Sequence, residues 1–152
     1  MGCQSSAEAF VQSYASAMHL GQSSSTTPTS CGTALAAHYQ PTFTAFSLGY
    51  TKTYASGEES IADVIEHLER SERVGLGYDI RLVKSRVDPV SASSALCWLS
   101  WKIYPKNEMQ GWTWENIYGY RVEQDGKEGW EMSIADNEIS SLLQRYPNIF
   151  SE

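Results

Sequence analysis

Positive charge is scarce in this chain: 11 Lys and Arg stand against 18 Asp and Glu, giving a net charge of −7. A surface of that sign does not hold phosphate backbones, so nucleic acid is not an expected partner. Cysteine is scarcer still. Cys3, Cys31 and Cys97 are too few for a disulfide framework and are spaced for no metal knuckle. Cys97, inside Ala95-Leu96-Cys97-Trp98-Leu99, reads as a small buried hydrophobe. His19, His38 and His67 share no ligand spacing either, so neither a metal nor a cofactor is expected. No apolar run approaches the roughly 20 residues that cross a bilayer. Residues 1–20 also lack the basic start and unbroken apolar stretch of a secretory signal. Together these absences point to a reducing, cytoplasmic compartment.

Aromatic rings are what the chain has in quantity, with five Trp, nine Tyr and four Phe among 152 residues. Rings in that number require a core, an interface or a ligand pocket to hold them. The length suits one domain over 1–152, with residues 1–5 as a flexible start. Residues 5–20 read as an amphipathic helix with Phe10, Tyr14 and Met18 on one face, Ser5 and Glu8 at capping-box spacing and Gly21 as its end. Residues 22–32 (QSSSTTPTSCG) carry no apolar anchor and read as a mobile loop. A short helix at 33–39 follows, stopped by Pro41. Strands at 42–48 and 50–55 turn at Gly49. Ser56 then caps a helix whose buried stripe is Ile61, Val64, Ile65 and Leu68, while Asp63 and the neighbouring glutamates face water. His67, at the margin of that stripe, reads as a surface histidine. Strands at 78–88, 94–104, 112–123 and 129–136 come next, the last two joined through the hairpin signal Asp125-Gly126. A helix at 138–145 ends before Pro147. The order is that of an α+β domain.

Four stretches are together similar to the nuclear transport factor 2-like superfamily, and within it to the SnoaL-like and ketosteroid-isomerase-like proteins. They are Phe10-Val11-Gln12-Ser13-Tyr14-Ala15 through Gly21, Ala34-Leu35-Ala36-Ala37-His38-Tyr39-Gln40-Pro41, residues 57–68, and residues 114–126. The resemblance implies a curved, mostly antiparallel sheet wrapped on three helices into a cone, the cystatin-like arrangement. It also implies an internal pocket and, often, a homodimer. Because this fold hosts dehydratases, isomerases, cyclases and pure binding modules, it does not by itself name an activity.

Strand parity selects the pocket wall. On 112–120 one face carries Trp112, Trp114, Asn116, Tyr118 and Tyr120. A two-residue turn at Asp125-Gly126 pairs Asn116 with Ala135 and Tyr118 with Ser133, while a longer turn would slip the strand and bring Asp136 inward. The ketosteroid-isomerase pattern gives the same face and adds Leu96, Trp98, Ser100 and Lys102 from the neighbouring strand. By that resemblance Tyr14 falls on the oxyanion-binding tyrosine, Tyr118 replaces a carboxylic acid, and the base position falls on Ser47. Serine takes no proton from carbon near neutral pH, so the base must lie elsewhere. Asp136 and Glu138 are the carboxylates near the cone mouth, and Lys102 is either a desolvated base or a solvated strand end.

The expected catalytic set is therefore Tyr14, Asn116, Tyr118 and Asp136, with Ser47, Trp98, Ser100, Lys102 and Trp114 against substrate. The expected activity is that of a cofactor-independent lyase, isomerase or cyclase acting on a small, largely apolar carbonyl compound, as in secondary metabolism. A non-catalytic ligand-binding or dimerising module is the alternative, and a carboxylate or histidine reaching the pocket separates the two. A homodimer is expected, with Trp130, Met132 and Ile134 as an apolar face needing cover. Met1-Gly2-Cys3-Gln4-Ser5-Ser6 also fits an acylation pattern, the one route by which a membrane becomes a partner.

Overall fold

The computed structural model describes residues 2–151. Helix α1 (Gly2–His19) runs into a single 3-10 turn (Leu20–Gln22), followed by α2 (Pro28–Ala36). Strands β1 (Tyr39–Ser47) and β2 (Tyr50–Tyr54) lead to α3 (Gly57–Arg73). Then come β3 (Ile80–Pro89), β4 (Ser94–Ile103), β5 (Thr113–Val122), β6 (Glu128–Ile134) and a last helix, α4 (Asp136–Arg145). The six strands form one sheet in the order β2-β1-β6-β5-β4-β3, antiparallel except where β1 runs parallel to β6. This is the α+β architecture expected, and its four α-helices match the number read from the residues, one more than the three that the resemblance implies.

The helices start where polar caps and close packing dictate. Ser56 accepts the Glu59 N–H at the head of α3, and the Glu59 carboxylate in turn accepts the Ala55 N–H at 2.9 Å. Residues 22–32 are only in part the loop expected of them, since the irregular stretch is confined to 23–27. Thr27 and Ser30 form a reciprocal capping box with Pro28 at the first helical position, so α2 begins within that stretch. Cys31 is its buried anchor. Gly32 lets α2 lie against α3, because a Cβ there would come within 2.7 Å of the Ile65 side chain and 3.2 Å of its Cα. Helix α2 ends at Ala36, and Tyr39 and Pro41 belong to β1. Proline is tolerated there because the β1–β6 pairing is irregular between Tyr39 and Thr44. Helix α1 already includes residue 2, so residues 2–5 of the expected flexible start are helical and Ser5 is not its cap. Cys3 is buried, with its thiol donating to the Ser94 carbonyl at 3.4 Å. Met1, the first residue of the acylation pattern, lies outside the described residues.

Two details of register decide what faces the core. The β5–β6 hairpin closes through a Glu123–Lys127 pair, one residue longer than the tight turn expected. A bulge between Gly119 and Tyr120 then removes the offset, and Tyr118 still pairs with Ser133. The longer turn pairs Trp130 with Tyr120 and so sends it inward among Phe10, Tyr14, Tyr118 and Tyr120. Trp130 is therefore fully buried in the chain's own core and needs no partner to cover it, while Met132 and Ile134 stay partly exposed.

Candidate functional site

The inner face of the sheet, α1, α3 and α4 enclose a cavity of about 370 Å³. Tyr14, Asn116, Tyr118 and Ser47 line it, as the sequence leads one to expect. The β4 residues do not. In the β4–β5 register Trp101 pairs with Trp114, Leu99 with Asn116 and Cys97 with Tyr118. Odd-numbered β4 residues thus share the face of Asn116 and Tyr118, since directly paired side chains lie on one face. Trp98, Ser100 and Lys102 fall on the other. There the Arg86 guanidinium lies 4.2 Å from the centre of the Trp98 ring, Ser100 donates to Glu115, and Lys102 sits 5.1 Å from the Tyr104 ring. Trp114 is on the inner face and buried, but it packs beside Trp112 under α4 rather than on the cavity wall. Asp136 is exposed and accepts the Leu48 N–H at 3.0 Å, outside the cavity.

The carboxylate that does enter is Glu138, two residues further along, in the first turn of α4. Its Oε2 lies 3.3 Å from His67 Nε2, and its Oε1 accepts the Asn116 amide at 2.8 Å. The same Asn116 nitrogen donates to the Tyr118 hydroxyl at 3.3 Å. The Tyr14 and Tyr39 hydroxyls meet at 3.0 Å, and the Tyr14 and Tyr118 rings pack edge to face at 5.5 Å. Imidazole, carboxylate, carboxamide and three phenols thus line one wall of the cavity. Across α3, Tyr54 donates to Asp63 Oδ2 while Lys52 reaches Oδ1 at 3.4 Å. Asp63 is therefore tied to β2 at the cavity, with 41% of its side chain still exposed to solvent.

Electrostatics follow from this packing. Burial alone would lower the His67 pKa, but the hydrogen bond and charge of Glu138 outweigh it, and the imidazole sits above its ordinary 6.5. Burial alone would raise Glu138, yet His67 and the Asn116 amide hold it below its ordinary 4.5. Burial is also the main reason Tyr39 is pushed up to about 12 and Tyr14 and Tyr118 well above the usual phenol range. These phenols stay protonated at neutral pH and act as hydrogen-bond donors, not bases.

Sequence reasoning missed His67 because it sits at the edge of the apolar stripe of α3. Its spacing carried a signal nonetheless: His67 follows the cavity residues Ser60 and Val64 at helical intervals of seven and three. The helix expected at 33–39 gives Tyr39 no place on a wall, whereas its position at the start of β1 puts it there.

The fold has known structural relatives. A cystatin-like-fold domain from Nostoc punctiforme superposes with a TM-score of 0.61 at 16% identity, covering 97% of this chain and 88% of that one. An NTF2-like protein from Pseudomonas putida gives 0.61 at 15% identity, covering 88% of this chain and 84% of that one. The chain has the NTF2-like, cystatin-like fold. A ketosteroid isomerase-like protein from Erwinia carotovora shares the NTF2-like arrangement at a TM-score of 0.57 and 16% identity, covering 84% of this chain and 89% of that one. No protein-family model and no curated protein sequence matches the chain. Identities this low carry the NTF2-like fold and no activity. No described helix is long and apolar enough to cross a membrane.

Proposed function

We propose that the protein is an isomerase or lyase that moves a proton on a small, largely apolar carbonyl compound, with His67 and Glu138 as its base. The observation that carries this reading is the 3.3 Å contact between His67 and Glu138 on the wall of an aromatic cavity. Glu138 orients the imidazole and stabilises the imidazolium formed when it accepts a proton from the carbon next to the carbonyl. The electron pair released moves onto the carbonyl oxygen, where a phenol O–H from the Tyr14, Tyr39 and Tyr118 group donates to the developing charge. One such donor in a dry site contributes about 3 kcal/mol. Asn116 links the two halves, because its amide nitrogen contacts both the base pair and Tyr118. Return of the proton at another carbon completes an isomerisation, and loss of a β-substituent completes an elimination.

The test is a screen of cyclic and aryl ketones for turnover by mass spectrometry, repeated with His67→Gln. Expected is a loss of at least about a hundredfold in kcat, with ligand affinity changed less than threefold. Binding without turnover in the wild type would instead favour the non-catalytic ligand-binding module.

A further inference from the structure

The described residues include eight large apolar side chains that remain exposed, and half of them gather at one opening. Phe46 (37% exposed), Tyr50 (80%) and Phe150 (40%) all line the cavity as well, and Leu48 (42%) sits at the hairpin tip between the first two. Phe46 is the last residue but one of β1, Tyr50 opens β2, and Phe150 comes from the segment after α4. The cavity's polar wall, from Tyr14 to Glu138, belongs to α1, β1, β5, α3 and α4. Exposed apolar surface is unremarkable when scattered, but a cluster continuous with a cavity marks a surface that something apolar covers.

We infer that the ligand is longer than the cavity: a carbonyl-bearing head enters, and an apolar extension lies across the rim of Phe46, Leu48, Tyr50 and Phe150. This rests on the carbonyl reading above for the head group, and on the rim alone for the extension. The ligand continues from buried to exposed apolar surface without a break, because three rim residues are also cavity-wall residues. Two cationic side chains flank this path without breaking it. Arg70 pairs with Glu66 and lies 5.2 Å from the Phe150 ring, and Lys52 is held by Asp63. The extension that fits is thus an alkyl or isoprenoid-like chain rather than a charged one.

The experiment is calorimetric titration of the full chain with 4-alkylacetophenones from methyl to octyl, alongside the matching 4-alkyl-ethylbenzenes that lack the carbonyl. Affinity is expected to keep rising to the octyl member. Tyr50→Ser and Phe150→Ser, both at exposed positions, are each expected to weaken the octyl ketone by about tenfold and the methyl ketone by less than about twofold. A plateau at short chains, or equal losses for short and long members, overturns the inference. So does a result in which the variants lose only binding to phosphatidylcholine vesicles, which would make the rim a membrane contact. If ketones bind no better than ethylbenzenes while the chain-length dependence persists, the carbonyl reading fails and the extension stands.

Discussion

At the scale of single residues, the site depends on which protons are free to move. Tyr14 meets the Tyr39 hydroxyl and is packed by Trp101, Tyr118 and Trp130. Tyr14→Phe removes one hydroxyl and no packing volume, so stability should change by about 1 kcal/mol or less, while turnover falls by roughly a hundredfold. A collapse of Tm with unchanged turnover would make this tyrosine purely structural. For the base, the imidazole must be neutral to accept a proton, and its pKa lies above 6.5. The rise of kcat/KM with pH is therefore expected to have its midpoint above 6.5. Glu138→Gln removes the charge that holds that pKa up, and burial then pulls it down, so the midpoint moves to lower pH even as the rate drops. The same pair sets a stability window. His67, raised, contributes fully below 6.5 and loses its contribution as pH climbs through the folded value. Glu138, lowered, contributes fully above 4.5 and loses its contribution as pH falls through its own. The pair's contribution is largest between those limits, and thermal melts of wild type and His67→Gln should differ most there.

At the scale of elements, turns and bulges place the side chains. The β1–β2 turn has positive φ at both Leu48 (49°) and Gly49 (84°), as a two-residue hairpin of this twist requires. Glycine accepts that backbone freely and leucine does not; an L-residue pays about 1 kcal/mol or more in the left-handed region. Leu48→Asn should accordingly raise stability by about 0.5 kcal/mol or more in urea melts, with the Leu48 N–H contact to Asp136 kept. No gain would mean that the leucine side chain offsets its backbone strain through contacts at the tip. The bulge before Tyr120 matters as much as any turn. Without it the longer hairpin would pair Tyr118 with Met132 and turn Ser133 away from the cavity wall.

At the scale of the whole molecule, the helices and the curled sheet leave all three cysteines free and buried. Burial pushes the Cys97 thiol up to about 12 and raises that of Cys31, which suppresses the reactive thiolate in both. All three cysteines lie in the core, but Cys3 lies in the first turn of α1, where helix ends open locally. In a timed labelling with a thiol reagent, Cys3 is expected to react first. Cys31 and Cys97 should follow only at the rate set by global opening, accelerating together with denaturant. Early labelling of Cys97 would show that the sheet opens independently of the rest.

What the sequence determined by itself is whatever local chemistry and short-range periodicity encode. The capped helix α3, the Gly49 turn, the succession of strands along the chain and the face of β5 shared by Asn116 and Tyr118 were legible, because each rests on neighbours a few residues away, while the cavity position of Tyr14 was legible only through the family resemblance. Only the tertiary structure decided the rest. The parity of β4 was not legible, since apolar side chains lie on both its faces and the long connection from Ile103 to Thr113 fixes no register. Nor was the choice of Glu138 over Asp136, because two residues at the head of a helix differ by about 200° in direction and only the docking of α4 on β5 selects one. His67 became a candidate base for the same reason. A half-buried histidine at the edge of a helix stripe is unexceptional until another element, distant in sequence, brings a carboxylate within 3.3 Å of it.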